Sequence, residues 1–323
     1  MVLHRPMLTM WLLLMVLPTP GRLRRYDAAM STRTRGRAVA CWCLVAVWFA
    51  ATVTAALSVG SPIQNVAEAV YGAALAAFVV LHTLTLYRPV GAVSYFAVAV
   101  TVAFGFEACS VATGFPFGSY VHHFEGPRAL GVPFTVVFGW VVLAWLAWVL
   151  ARVIMGENRG HRAFVIVTPV IATFTLGGYD LVIDPIAAYA RGLYSYGSPS
   201  GALGVPLSNY FGWLFTGWVM FQAFSLVERR WRRKSVASPR STLLMPVVIW
   251  FGLALQVNLE MLRVGDATAT LQGGRDIPLA DIYSTCCAMS WFTMGLVVAI
   301  SVARLYPGQP DDVAAVAIRG ESS

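Results

Sequence analysis

Four carboxylates interrupt the apolar runs of this 323-residue chain: Glu107, Asp180, Asp184 and Glu260. An acid inside a membrane-length apolar segment is costly and by default faces the interior of a helix bundle, at a functional position. Asp180 and Asp184 stand at i and i+4, so both project from one face of a helix. Pro185 follows and is expected to stop that helix. The plainer reading lets each acid cap a helix end or pair with Arg191, Arg263 or Arg275. That reading suffices for Glu68 and Asp281, each of which opens a predicted helix. Aromatic residues crowd the same stretches: Phe117, Tyr120, Tyr194 and Tyr196 in the connections, then Trp140, Tyr210 and Trp213 just inside the following helices. An interfacial aromatic belt accounts for part of this enrichment.

Carboxyl groups and aromatic faces in an apolar cavity permit one particular chemistry. Burial favours the neutral form of a carboxyl group, and a neutral acid can protonate an isolated carbon–carbon double bond. Aromatic faces stabilise the resulting tertiary carbocation, by about 2 kcal/mol or more when desolvated. A second carboxylate then activates water, which gives hydration, or removes a proton. Attack by a neighbouring double bond gives cyclisation instead. None of these outcomes needs a cofactor, and none is expected. His122 and His123 precede Glu125, but they lack the convergent partners of a metal site, so no metal is expected either. The five cysteines lie in apolar segments at no metal-ligand spacing. The chain has no Walker A loop, no G-x-G-x-x-G opening a helix and no Asp-rich prenyl-diphosphate motif.

The elements that must carry these residues are membrane helices. The chain is 58% hydrophobic and 12% charged, with a mean hydropathy of +0.68, against about 25% charged residues in soluble domains. A soluble enzyme and a disordered chain are excluded. Continuous apolar runs also exclude a membrane β-barrel. The expected fold is an all-α, polytopic integral membrane bundle. Its eight spans are predicted near 38–59, 66–86, 90–112, 132–154, 163–183, 205–227, 242–262 and 279–303, each close to the ~20 residues a span requires. Residues 1–37 form a basic N-terminal extension, 38–304 the transmembrane domain and 305–323 a polar tail. Within the extension, Met7–Leu17 is a short apolar run, either signal-like or upstream of a true start at Met30. The second is favoured, because a cleaved signal would place Arg33, Arg35 and Arg37 outside. With both termini in the cytoplasm, the inner segments carry 15 Lys/Arg and the outer loops 4. That asymmetry predicts a multi-pass protein of the cell membrane with both ends inside. It also explains the net charge of +8 without nucleic acid, leaving contact with anionic lipid as a by-product.

An internal repeat organises the centre. Ala129-Leu130-Gly131-Val132-Pro133 recurs 73 residues on as Ala202-Leu203-Gly204-Val205-Pro206, and Phe138-Gly139-Trp140 recurs as Phe211-Gly212-Trp213, with 8 of 12 aligned positions identical. The same offset carries Glu107 onto Asp180. Copies at about 90–154 and 163–227 each span an even number of helices, so they are parallel repeats, and sites in such folds often lie between the copies.

The motifs Glu107-x5-Thr113-Gly114-Phe115-Pro116-Phe117-Gly118-x-Tyr120, Gly131-Val132-Pro133, Asp180-Leu181-x2-Asp184-Pro185 and Val205-Pro206-Leu207-Ser208-Asn209-Tyr210-Phe211-Gly212-Trp213 together resemble the carotenoid-biosynthesis membrane proteins of the CruF type. The resemblance covers about Glu107 to Trp213. Its members hydrate the terminal double bond of an acyclic carotenoid end, either C40 or C50, leaving a tertiary alcohol. The resemblance therefore implies a hydro-lyase whose partners are a carotenoid, membrane lipids and other enzymes of the carotenoid pathway. It makes Glu107, Asp180 and Asp184 the acid and base candidates, with Asn209 orienting water or a carboxylate. Phe117, Tyr120, Trp140, Tyr194 and Trp213 would line the cavity; Glu260 is added from its topology alone. The second repeat also looks faintly like small membrane lycopene cyclases, but Ser208-Asn209 replace the acids of those enzymes. Cyclase or isomerase activity on the same polyene, non-enzymatic carotenoid binding and transport are the alternatives.

Overall fold

The computed structural model describes residues 32–156, 162–201, 203–231, 238–271 and 274–307. Most of the N-terminal extension and nearly all of the C-terminal tail lie outside the described residues. Within them, eight helices are long and apolar enough to cross a membrane, and the chain is an all-α integral membrane bundle. These helices are α1 (Thr32–Leu57), α2 (Pro62–Leu86), α3 (Pro89–Thr113), α4 (Phe134–Met155), α5 (Arg162–Pro185), α6 (Leu207–Trp231), α7 (Arg240–Glu260) and α8 (Leu279–Leu305). Proline opens α2 and α3, where its fixed φ suits the helix and its missing N–H costs nothing. Order and number agree with the hydropathy reading; the ends differ by a few residues.

Four helices close a ring. Both α3 and α5 pack on α4 and on α6, so each sequence repeat supplies two adjacent members of the ring. Outside the ring, α1 packs on α2 and α7, while α7 and α8 lean on α4 and α5. The core runs along α4, whose Trp140, Trp145 and Trp148 are fully buried. Large apolar side chains such as Phe174 on α5 and Phe292 on α8 point outward, as a lipid-facing surface requires. At the end of the bundle away from the acids, Arg152 pairs with Glu228 at 3.6 Å and donates to the Tyr87 hydroxyl at 2.6 Å. Toward the same end, Trp145 donates to His82 Nδ1 at 3.0 Å, leaving His82 Nε2–H to donate to the Thr242 carbonyl at 3.0 Å. These bonds join α2, α4 and α7.

Pro185 does not stop α5. The helix runs on through a π turn, Ile186–Ala190, correcting the expected stop. Proline cannot donate the regular i→i−4 bond, and the widened turn re-forms the ladder beyond it: the Arg191 N–H bonds to the Ile186 carbonyl at 2.9 Å. A second π turn, Trp291–Gly295, lies within α8.

Among the described residues, three small antiparallel pairs complete the fold: β1 (Tyr120–His122) with β4 (Tyr194–Tyr196), β2 (Arg128–Ala129) with β3 (Val132–Pro133), and β5 (Thr268–Leu271) with β6 (Arg275–Pro278). The first joins the two repeats. Its register sets Tyr120 opposite Tyr196, Val121 opposite Ser195 and His122 opposite Tyr194. Shifting β1 by 74 residues gives β4, so each strand faces its own equivalent in the sense of a local two-fold. Gly118 and Gly192 each precede a strand at left-handed φ, 90° and 60°, a backbone state that glycine adopts without steric cost.

Candidate active site

A cavity of about 270 Å³ opens between the repeats. Among its lining residues are Glu107, Phe117, Tyr120, Trp140, Asp184, Tyr194, Asn209 and Trp213, all singled out from sequence. Each of its two carboxyl groups sits in a cradle of three partners drawn from one strand and one helix.

Glu107, 4% exposed near the end of α3, meets the first cradle. Tyr120 donates its hydroxyl to Oε2, His122 Nε2 lies 3.3 Å from the same oxygen, and Trp140 Nε1–H donates to Oε1 at 2.7 Å. Strand β1 supplies Tyr120 and His122 from one side of its pleat, since residues two apart share a face. Helix α4 supplies Trp140 from the next element of the same repeat.

Asp184, 3% exposed at the end of α5, meets the second. Tyr194 donates to Oδ1, while Tyr196 at 2.9 Å and the Asn209 amide donate to Oδ2. Again a strand gives two residues and the following helix a third. Burial first, and then the facing carboxylates, push the Tyr120, Tyr194 and Tyr196 phenols up, so each remains a protonated donor above the usual value of about 10. The offset of 73 matches Glu107 with Asp180, yet the second cradle belongs to Asp184, one turn farther along.

Asp180 occupies a different position. It is fully buried and does not line the cavity. Neither of its oxygens meets a hydrogen-bond donor; it faces the Asp184 carboxyl group on the same helix. Two carboxyl groups so placed are hydrogen-bonded when one of them carries a proton. Glu260 also stands off the cavity wall. Its Oε1 accepts from Arg191 at 2.5 Å and Gln256 at 2.8 Å, and its Oε2 from the Tyr283 hydroxyl at 3.1 Å. The Arg191 side chain does reach the wall, so Glu260 bears on the cavity through that ion pair.

The aromatic walls also cross the repeat. Trp140 and Trp213 stack at 3.9 Å and 22°, and Phe117 lies 5.9 Å from Trp140. The repeated Phe-Gly-Trp motif thus ends in a contact between its own two copies. A cation formed beside these faces would be held by their π electrons, with carboxyl groups to either side of the proton balance.

Among the wall residues that escaped the sequence reading as site candidates, two are basic: His122, set aside as a poor metal ligand, and Arg191, seen only as a counter-charge. A signal for His122 does exist. Gly118-x-Tyr120-x-His122 recurs as Gly192-x-Tyr194-x-Tyr196, but at an offset of 74, one residue out of step with the flanking helices.

The family model for carotenoid biosynthesis proteins matches residues 64–273. Bisanhydrobacterioruberin hydratase of Haloarcula japonica is 33% identical over 165 residues, which cover 49% of this chain and 55% of that protein. The matched stretch thus spans about half the length of that curated relative. No solved structure matches the chain.

Proposed function

The chain belongs to the carotenoid biosynthesis protein family, and we propose that it is a membrane hydratase adding water to the terminal double bond of an acyclic carotenoid. The observation that carries this reading is the pair of donor-cradled carboxyl groups, Glu107 and Asp184, on one aromatic cavity. The hydratase of Haloarcula japonica supports it as a relative. A cavity of about 270 Å³ falls just below the ~300–1,000 Å³ of pockets that enclose a drug-sized ligand. It suits the end group of a long polyene whose remainder stays among lipid tails.

In this mechanism the Asp180–Asp184 pair holds one proton. Asp184, the member on the wall, delivers it to the alkene, and the carboxylate left behind is received by Tyr194, Tyr196 and Asn209. Preorganised donors aimed at developing charge are the usual source of catalytic stabilisation. The tertiary cation lies against Trp140, Trp213 and Phe117. Water enters on the Glu107 side, forms the C–O bond and gives up a proton there. The proton spent on carbon is thereby replaced by one from water, and no cofactor takes part. Carotenoid, surrounding lipid and neighbouring pathway enzymes are the partners of this reading.

Pigment analysis tests it. The full chain is expressed in a bacterial host that accumulates lycopene, and in one supplying an acyclic C50 carotenoid, and the extracts are examined by mass spectrometry. The expected product is one water heavier than its precursor, and Asp180→Asn, Asp184→Asn and Glu107→Gln each abolish it while the protein stays in the membrane. Full hydration by all three variants would overturn the mechanism. An unchanged mass with a shifted absorption spectrum would make the protein a cyclase or isomerase. Unaltered pigment in both hosts would leave either a different polyene substrate or a protein that binds carotenoid without transforming it.

A further inference from the structure

His122 is 8% exposed and lines the cavity. Its Nε2 faces Glu107 Oε2 at 3.3 Å; since a carboxylate oxygen accepts there, the proton of the neutral ring sits on Nε2. The other nitrogen, Nδ1, is buried and has no protein partner. A buried polar atom without a partner is uncommon and calls for a reason. The ring is fixed from two sides. Tyr120 packs edge-on against it at 4.8 Å and Phe124 at 6.0 Å, while Arg128 Nη1 anchors the main chain by donating to the His122 carbonyl at 3.2 Å. The equivalent position in the second repeat is Tyr196, whose hydroxyl is consumed by Asp184. Of the two equivalent positions, only His122 carries a ring nitrogen without a protein partner, on a residue that lines the cavity.

We propose that His122 is the general base that binds and deprotonates the attacking water, with Glu107 holding the ring and balancing the imidazolium that forms. The inference rests on the hydratase reading and assigns within it which half of the site captures the cation. Water approaches with one O–H directed to Nδ1. An oxygen lone pair forms the C–O bond to the tertiary carbon while that O–H breaks, and its proton passes to Nδ1. The imidazolium, bonded through Nε2–H to Glu107, then releases the proton to solvent, which replaces the one delivered by the Asp180–Asp184 pair. No electrons are exchanged and no further reactant is needed. A carboxylate orienting a histidine base is a recurring arrangement for activating oxygen nucleophiles.

The test separates water capture from protonation. Detergent-solubilised protein is incubated with lycopene in D2O, and both the hydrated product and deuterium in the recovered carotenoid are measured. A cation that forms but is not captured loses a proton and returns an alkene carrying deuterium. His122→Phe should lower hydration by about 10²-fold or more, the contribution of a general base, while deuterium exchange into recovered substrate persists. Asp184→Asn should lose both. His122→Asn, which keeps an acceptor near the Nδ1 position, should recover part of the hydration; it also decides the matter should the Phe variant fail to stay folded. Hydration at the wild-type rate in His122→Phe would overturn the proposal. So would loss of exchange together with hydration in folded His122 variants, because it would place the residue in protonation. Wild-type protein that neither hydrates nor exchanges would instead remove the hydratase reading, and this role with it.

Discussion

Trp140 meets the site with both parts of its side chain, the indole N–H on Glu107 and the ring face on Trp213. The two contributions can be separated. Trp140→Phe keeps an aromatic face and removes the donor. A hydrogen bond to a charged group is worth about 1.5–3 kcal/mol, so the hydration rate should fall roughly 10- to 100-fold while substrate binding, followed by absorbance of the bound polyene, changes little. A rate equal to that of the wild type would mean that the Glu107 cradle does not bear on the chemistry. At this scale the acids were legible in the sequence because a charge inside an apolar run is conspicuous. His122 was not read there, because its repeat runs one residue out of step with the helices and its neighbour Glu107 stands 15 residues away on α3. Asp180 and Asp184 looked interchangeable in sequence; burial behind the wall separates them.

Elements hold these residues through close approaches that differ between the repeats. Gly139 on α4 and Gly212 on α6 are equivalents in the Phe-Gly-Trp motif. A Cβ on Gly139 meets nothing within 4 Å, whereas one on Gly212 meets backbone of the cavity-forming loop, the Pro116 carbonyl oxygen and Phe117 Cα, both at 2.9 Å. Gly212→Ala should therefore cost about 1–3 kcal/mol, the range for overpacking, and lower the melting temperature in detergent. Gly139→Ala should melt like the wild type. Equal melting of all three proteins would contradict the close seat of the Phe117 loop on α6. The motif was legible as a repeat, but identical tripeptides could not reveal that one glycine is pressed by a loop and the other open. The eight helices were legible from hydropathy. The π turn after Pro185 was not, since proline reads as a terminator unless the chain beyond it has somewhere to pack. Here the continuation brings Arg191 to Glu260.

For the whole molecule, the distribution of charge predicts its orientation. The stretch Glu228–Arg240 around the connection between α6 and α7 carries six Lys/Arg, and the acids lie at the opposite end of the bundle. Reporters fused in that connection should therefore report the cytoplasm, and reporters fused between Gly114 and Val132 the outside. The reverse pattern would place the site on the cytoplasmic face and overturn the topology. The repeat was legible as two parallel copies, while their closure into one ring depends on helix contacts no sequence offset states. The β1–β4 pairing has a consequence of its own. Two identical halves meeting about a local two-fold make a chamber with no front or back, in which an elongated guest and its reversed image fit equally well. Here the halves have diverged: His122 stands where the other half has Tyr196, and Glu107 sits a turn short of the place Asp184 takes. The chamber has thereby acquired a polarity, and an end group entering it meets unlike chemistry on its two sides.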